Sequence, residues 1–93
     1  MGCIVVQEDA KAVFRLVGPL DDLDFDQIEI QFETIIERPD AVVIFDFAEL
    51  QSLSASLVAL LGLLRLHASM AGAQLELRHL RPEVETFIGS HWN

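Results

Sequence analysis

Residues 41–71 read AVVIFDFAELQSLSASLVALLGLLRLHASMA and divide into three parts. Residues 41–45 form an almost continuous run of β-branched and aromatic residues, which predicts a strand that is covered on both faces. The acidic, amide and hydroxyl side chains that follow predict a loop, and from Ser56 the apolar spacing becomes helical. Because the first turn of a helix leaves backbone N–H groups free, we expect a functional site near residues 51–57.

The helix predicted over residues 56–71 is apolar around more of its circumference than contact with one sheet requires. One face, which we expect to form the core side, carries Leu57, Leu60, Leu61, Leu64, Ala68 and Ala71. An adjoining apolar stripe carries Ala59, Leu63, Leu66 and Met70. Two interpretations of this stripe are open: the first or the last helix of the chain covers it, or Leu63, Leu66 and Met70 contact a partner.

A first helix is predicted nearer the N-terminus. Asp24 and Gln27 resemble a capping box, so we expect the helix to run over about residues 25–37. Its apolar residues recur at helical spacing on one face, namely Phe25, Ile28, Phe32, Ile35 and Ile36. A second face carries Glu29, Glu33 and Glu37, and we interpret this carboxylate stripe as solvent-exposed.

The remaining segments predict strands and a last helix. Residues 3–6 and 12–17 are strand-forming runs joined by a short polar connection, which favours an antiparallel hairpin. Residues 74–78 alternate as an edge strand does, and a right-handed crossover makes them parallel to the central strand. Pro82 is well placed to open a final helix. The order ββαβαβα predicts an α/β fold with a mixed four-stranded sheet and packed helices, forming one domain over residues 1–93.

The composition excludes several classes of function. The net charge is −9, from 15 acidic and 6 basic residues, which leaves no basic face for nucleic acid or an anionic membrane. The single cysteine excludes an internal disulfide. No signal-peptide pattern is visible, and the longest apolar run is too short to span a bilayer. We therefore expect a cytoplasmic protein without direct membrane insertion.

The sequence contains no convincing catalytic or metal-binding pattern. None of the three histidines lies in a HExxH or CxxC setting, and no glycine-rich phosphate loop is present. Cys3 lies in a predicted strand, where a buried, inert thiol is expected. Asp46 and Glu49 could pair as carboxylates, but a loop acid that accepts backbone hydrogen bonds is far commoner. We therefore predict a protein without enzymatic activity, metal or cofactor.

The order ββαβαβα resembles the STAS domain, the fold of bacterial anti-sigma factor antagonists. Residues 18–21 (GPLD) look like the family's G-x-L-D after the second strand, and residues 43–47 (VIFDF) look like its V-x-L-D-L strand. Residues 50–57 (LQSLSASL) occupy the place of its motif that ends in aspartate, serine, serine or threonine, and glycine. Residues 72–77 and 81–84 resemble its closing motifs, so the similarity covers nearly the whole chain.

The chain departs from the family at the positions that matter for regulation. The family's aspartate falls on Ser54, its phosphorylatable serine on Ala55, its following serine or threonine on Ser56 and its glycine on Leu57. In the family, a partner kinase phosphorylates that serine, and the new charge breaks the complex. Ala55 has no hydroxyl, so the resemblance implies that the usual switch is absent. Ser54 or Ser56 could be phosphorylated instead, although we interpret Ser56 as the helix N-cap. Leu57 is expected to add apolar bulk where a kinase would dock.

The resemblance implies a non-catalytic interaction module that regulates a protein partner, by default an anti-sigma factor or a switch kinase. One alternative is a cytoplasmic STAS subunit of an ABC-type lipid transporter, bound to the transporter's ATPase. Another is a module that senses a small ligand or nucleotide. The residues predicted to bind the partner are Gln51, Ser52, Ser54, Ala55, Ser56, Leu63, Leu66 and Met70.

Overall fold

The computed structural model describes residues 2–8, 11–50, 54–80 and 82. The elements are β1 (Gly2–Glu8), β2 (Lys11–Val17), α1 (Asp22–Ile35), β3 (Val42–Asp46), α2 (Ala55–Ala71) and β4 (Gln74–Arg78). Within these residues the strands form one sheet in the order β1-β2-β3-β4, with β1 antiparallel to β2 and the other pairs parallel. The predicted mixed α/β sheet is confirmed. The last predicted helix, apart from Pro82, lies outside the described residues, and the single domain over residues 1–93 stays a prediction.

Strand β3 occupies the interior of the sheet, as its apolar sequence predicts. Val43, Ile44 and Phe45 are all almost fully buried although they alternate between the two faces of the strand. Val43 and Phe45 belong to the core cluster beneath the helices, and Ile44 points to the opposite face. The prediction of a strand covered on both faces is therefore confirmed. Its neighbour β4 is an edge strand with alternating exposure, which is also as predicted.

The core lies between the sheet and the two helices, which pack on the same face. The ring centroids of Phe14 on β2 and Phe45 on β3 are 4.9 Å apart, and those of Phe32 on α1 and Phe45 are 6.2 Å apart. Leu61 and Leu64 of α2 are fully buried in the same cluster. Each such side chain contributes about 1.5–3 kcal/mol by leaving water, so this layer fixes both helices to the sheet.

Helix α1 begins earlier than the sequence predicts. Asp21 is its N-cap, because its carboxylate accepts a hydrogen bond from the N–H of Asp24 at 2.9 Å, and the Asp24 carboxylate accepts one from the N–H of Asp21 at 3.0 Å. The hydrogen bond from Asp24 lowers the pKa of Asp21. The predicted capping box of Asp24 and Gln27 is therefore wrong by one turn. The helix ends at Ile35, and Ile36 is the C-cap.

Helix α2 also begins before its predicted start. Its N-cap is Ser54, whose backbone is extended (φ −95°, ψ 156°), and the predicted N-cap Ser56 lies inside the first turn. The C-terminal end is as predicted, because Gly72 takes the left-handed conformation with φ 77°. The N–H of Ala73 then reaches the carbonyl of Ala68 at 2.8 Å, which closes the last turn. Neither of these two described helices is long and apolar enough to cross a membrane.

Candidate functional site

The N-terminal end of α2 presents three small side chains to solvent. Ser54, Ala55 and Ser56 are all exposed. The Ser54 hydroxyl oxygen accepts a hydrogen bond from the N–H of Leu57 at 3.1 Å, and the Ser54 carbonyl accepts one from the N–H of Val58 at 3.1 Å. Ser54 is thus the capping residue, Ala55 opens the helix without a hydroxyl, and Ser56 keeps an exposed hydroxyl. Gln51 and Ser52, which the sequence also assigned to this site, lie outside the described residues.

Leu57 does not contribute to this surface. It is 2 % exposed and belongs to the core cluster, so the expectation that it adds apolar bulk to a docking surface is wrong. The helical spacing had already placed Leu57 on the core side, and that placement is confirmed. A small cavity of about 190 Å³ lies beside it, lined by Pro19, Leu20, Leu50, Ser54 and Leu57.

The second apolar stripe of α2 is exposed. Leu63, Leu66 and Met70 are 40 %, 56 % and 78 % accessible, and Ala59 is also exposed. Helix α1 packs beside α2 but does not cover these side chains. Ala71, which its helical spacing predicted on the core side, is exposed as well. Cover of the stripe by α1 is therefore wrong, and cover by the last predicted helix lies outside the described residues. The stripe continues directly from the exposed N-terminal end of the same helix.

A groove lies where the C-terminal ends of the two helices meet. It has a volume of about 410 Å³ and is lined by Glu33, Ile36, Glu37, His67, Met70 and Ala71. Across it, Nδ1 of His67 on α2 contacts the carboxylate of Glu33 on α1. The sequence does not predict this contact, because the acidic spacing alone assigns Glu33 to a solvent-exposed stripe. No spacing rule joins residues on two separate helices, so the sequence carried no signal for it.

Asp46, the last residue of β3, and Glu49, in the loop that follows, have separate partners. The Asp46 carboxylate accepts the N–H of Ala48 at 2.9 Å and lies 2.8 Å from Nδ1 of His79. Glu49 forms an ion pair with Arg15, with 2.6 Å between Oε2 and Nη2. Burial opposes ionisation of Asp46, but the Ala48 hydrogen bond and the nearby His79 and Arg15 outweigh it, so its pKa is lowered. The interpretation of Asp46 as a capping acid is confirmed.

The chemistry of the other candidate groups is limited. Within the described ranges, no group of three or more His, Cys, Asp and Glu side chains could hold a metal ion. Burial, together with the negative charge of Asp24, raises the pKa of the Cys3 thiol to about 12. Because the thiolate is the reactive species, Cys3 is a poor nucleophile near neutral pH.

The geometry of the described residues defines a small α/β module in which α1 and α2 cover one face of a mixed sheet and leave one side of α2 open. A family model described as "Mlab, STAS domain" matches residues 3–89, and the chain belongs to the STAS domain family. The fold and this family together make it a STAS-type interaction and regulatory module.

A similar fold occurs in a solved structure titled "Crystal Structure Analysis of Mglu". The TM-score is 0.67 and the sequence identity is 12 %, and the match covers 85 % of this chain and 20 % of that chain. At this identity the likeness concerns the fold alone, and the present chain spans about a fifth of the length of that protein. A comparison with curated proteins found no match.

Proposed function

We propose that this protein is a non-catalytic module of the cytoplasm that regulates a protein partner by binding it through α2. The observation that carries the proposal is the exposure of Leu63, Leu66 and Met70 on one side of a helix whose other side forms the core. Large apolar side chains grouped on a surface are typical of protein interaction sites, because an association removes them from water.

The binding surface extends from this stripe to the N-terminal end of α2. Ser54, Ala55 and Ser56 are exposed and small, so a partner can approach the helix end closely. Charged residues are depleted at the centres of interfaces, and α2 has no acidic residue in its first turn. The surface therefore combines an apolar strip with a neutral end.

The proposed binding does not depend on a phosphate at position 55, where Ala55 has no acceptor oxygen. Ser54 and Ser56 remain the two candidate phosphorylation sites. The Ser54 hydroxyl oxygen accepts the capping hydrogen bond from the N–H of Leu57, whereas Ser56 is exposed and does not cap the helix. A phosphate on Ser56 would place negative charge at this end of the proposed interface and would weaken binding.

An anti-sigma factor or switch kinase is the first class of partner that we propose. The ATPase of an ABC-type lipid transporter is the alternative, because the resemblance to STAS proteins supports either one. A role in sensing a small ligand or nucleotide ranks third, and a thermal shift assay with nucleotides tests it.

Affinity capture of the tagged protein from a lysate of its own organism tests the proposal. The captured partner is identified by mass spectrometry, and its affinity is then measured for the wild type, Leu63→Asp and Leu66→Asp. We expect each substitution to weaken binding at least about tenfold, because it leaves a charge buried at the interface.

Ile4→Asp is the matched control. Ile4 is 49 % exposed on β1, where Cys3 and Val5 pack against the core beneath the helices and Ile4 points to the opposite face, so this variant should bind normally. Circular dichroism verifies that all variants are folded. Normal binding by both α2 variants would overturn the proposal. A kinase-like anti-sigma factor among the captured proteins would support the first partner class, and an ATPase would support the second.

A further inference from the structure

The groove between the helix ends offers both apolar walls and negative charge. Met70 is 78 % exposed on one wall, and Ile36 and Ala71 supply further apolar surface. Glu33 and Glu37 lie on the α1 side. An anionic group would be repelled by Glu37 and by the Glu33 carboxylate that His67 contacts, so the lining favours a group with an apolar stem and a positive head.

The backbone adds to the negative potential. The C-termini of α1 and α2 meet at this groove, and each helix end carries the negative pole of its dipole. Neither helix has a basic residue in its last turn. Arg38 follows Glu37 in the chain but is not among the lining residues. Two carboxylates and two helix ends therefore act on the same small volume.

His67 fixes the geometry of one wall. Its contact with Glu33 ties α2 to α1 and orients that carboxylate. Glu37 follows the C-cap Ile36 in the turn after α1 and is exposed. A cationic head that enters the groove can therefore approach Glu37 directly, while its stem lies against Met70.

We propose that this groove receives a lysine or arginine side chain from a helical segment of the protein partner, whose apolar residues cover Leu66 and Met70. This inference rests on the proposed function and adds the chemistry of the partner. Charge complementarity is its basis, because the protein carries a net charge of −9 and the groove adds local negative charge. An anionic membrane surface does not fit this charge.

Two synthetic peptides provide the probes. Both are amphipathic helices of about 15 residues with the same leucine stripe, and they carry either lysine and arginine or glutamate beside the stripe. Binding to the ¹⁵N-labelled protein is followed by NMR shift perturbation at low salt. We expect the basic peptide to bind at least about tenfold more tightly than the acidic one, with the shifts centred on Glu37, Met70 and Ala71. Equal binding of both peptides, shifts elsewhere, or no binding would overturn the inference.

Removing the carboxylates of the groove tests the same proposal by changing the protein instead of the peptide. The double variant Glu33→Gln, Glu37→Gln should lower the affinity for the basic peptide about five- to tenfold and make that affinity less dependent on salt. The control variant Glu76→Gln removes an exposed carboxylate from β4 and should change the affinity less than about twofold. An equal effect of both variants would indicate general attraction to an acidic protein and would overturn the groove assignment.

The two proposals can fail separately. If Leu66→Asp weakens binding of the captured partner but Glu37→Gln does not, the proposed α2 interface is supported and the proposal that the groove receives a cationic side chain is wrong. If neither α2 variant affects the captured partner, the proposed function itself is wrong.

Discussion

The Ser54 hydroxyl oxygen lies 3.1 Å from the backbone nitrogen of Leu57 and caps α2 from outside the helix. The serine that closes the helix is thus the residue before position 55. The hydroxyl of Ser56, by contrast, is exposed in the first turn. Ser54 therefore has a structural role as the helix cap, and Ser56 is the serine whose hydroxyl is exposed.

Replacing the two serines should therefore have unequal effects on stability. Ser54→Ala should lower the free energy of unfolding by about 1 kcal/mol, because the N–H of Leu57 loses its acceptor. Ser56→Ala should change it by less than about 0.5 kcal/mol. Urea unfolding followed by circular dichroism measures both. A larger loss for Ser56→Ala would show that the cap is assigned to the wrong serine.

A negative charge at position 55 should stabilise the fold and weaken partner binding. Ala55→Asp places a carboxylate at the positive end of α2, which has no acid in its first turn, and should add about 0.3–1 kcal/mol to stability. The same charge lies in the proposed interface and should reduce affinity for the captured partner. Ala55→Asn supplies the same shape without charge. A calorimetric melt and a binding titration compare the two, and equal affinities would contradict the prediction.

Leu61 and Leu66 offer a matched pair of truncations on one helix. Leu61 is fully buried and Leu66 is 56 % exposed. Leu61→Ala should cost about 2–5 kcal/mol, since it loses burial and leaves a cavity. Leu66→Ala should cost less than about 0.5 kcal/mol. Chemical denaturation gives both values, and a similar cost for the two would contradict the orientation of α2.

Stability should depend on pH through Asp46. Its pKa is lowered in the folded state, so its contribution is present above the unfolded pKa of about 3.9 and is lost as the pH falls through the folded pKa. The stability advantage of the wild type over Asp46→Asn should therefore shrink below about pH 4. Urea unfolding from pH 6 to pH 3 measures this difference. Glu76→Gln serves as an exposed control, and a difference that grows on acidification would reverse the assigned sign.

Cys3 should react slowly with alkylating agents. Because its pKa is raised to about 12, its thiolate is scarce at pH 8, and we expect alkylation by iodoacetamide to be more than about a hundredfold slower than for a peptide cysteine. Addition of urea should restore the normal rate. Mass spectrometry follows the reaction, and rapid alkylation of the folded protein would contradict the burial of this thiol.

The sheet could be predicted from the sequence because its signals are local. The apolar run around Ile44 and Phe45 specifies an interior strand, and the strand–helix–strand order specifies parallel pairing. Gly72 was also predictable as a helix end, because the left-handed conformation there suits glycine.

The helix starts were harder to predict because several residues can act as caps. Asp21 and Asp24 are both good N-cap residues, as are Ser54 and Ser56, and propensity alone does not choose between them. The apolar spacing does not choose either, because the same residues face the sheet whichever cap is used. The Glu33–His67 contact depends on tertiary packing and had no local signal.

The parallel course of α1 and α2 has a consequence for regulation. Their N-termini share one end of the molecule, and the groove lies at the other, so Ala55 and Met70 are about 23 Å apart along α2. The Debye length in physiological salt is about 8 Å. A charge introduced at one end is therefore screened before it reaches the other. Partner recognition in the groove and control at the helix start can consequently be changed independently, by mutation or in evolution.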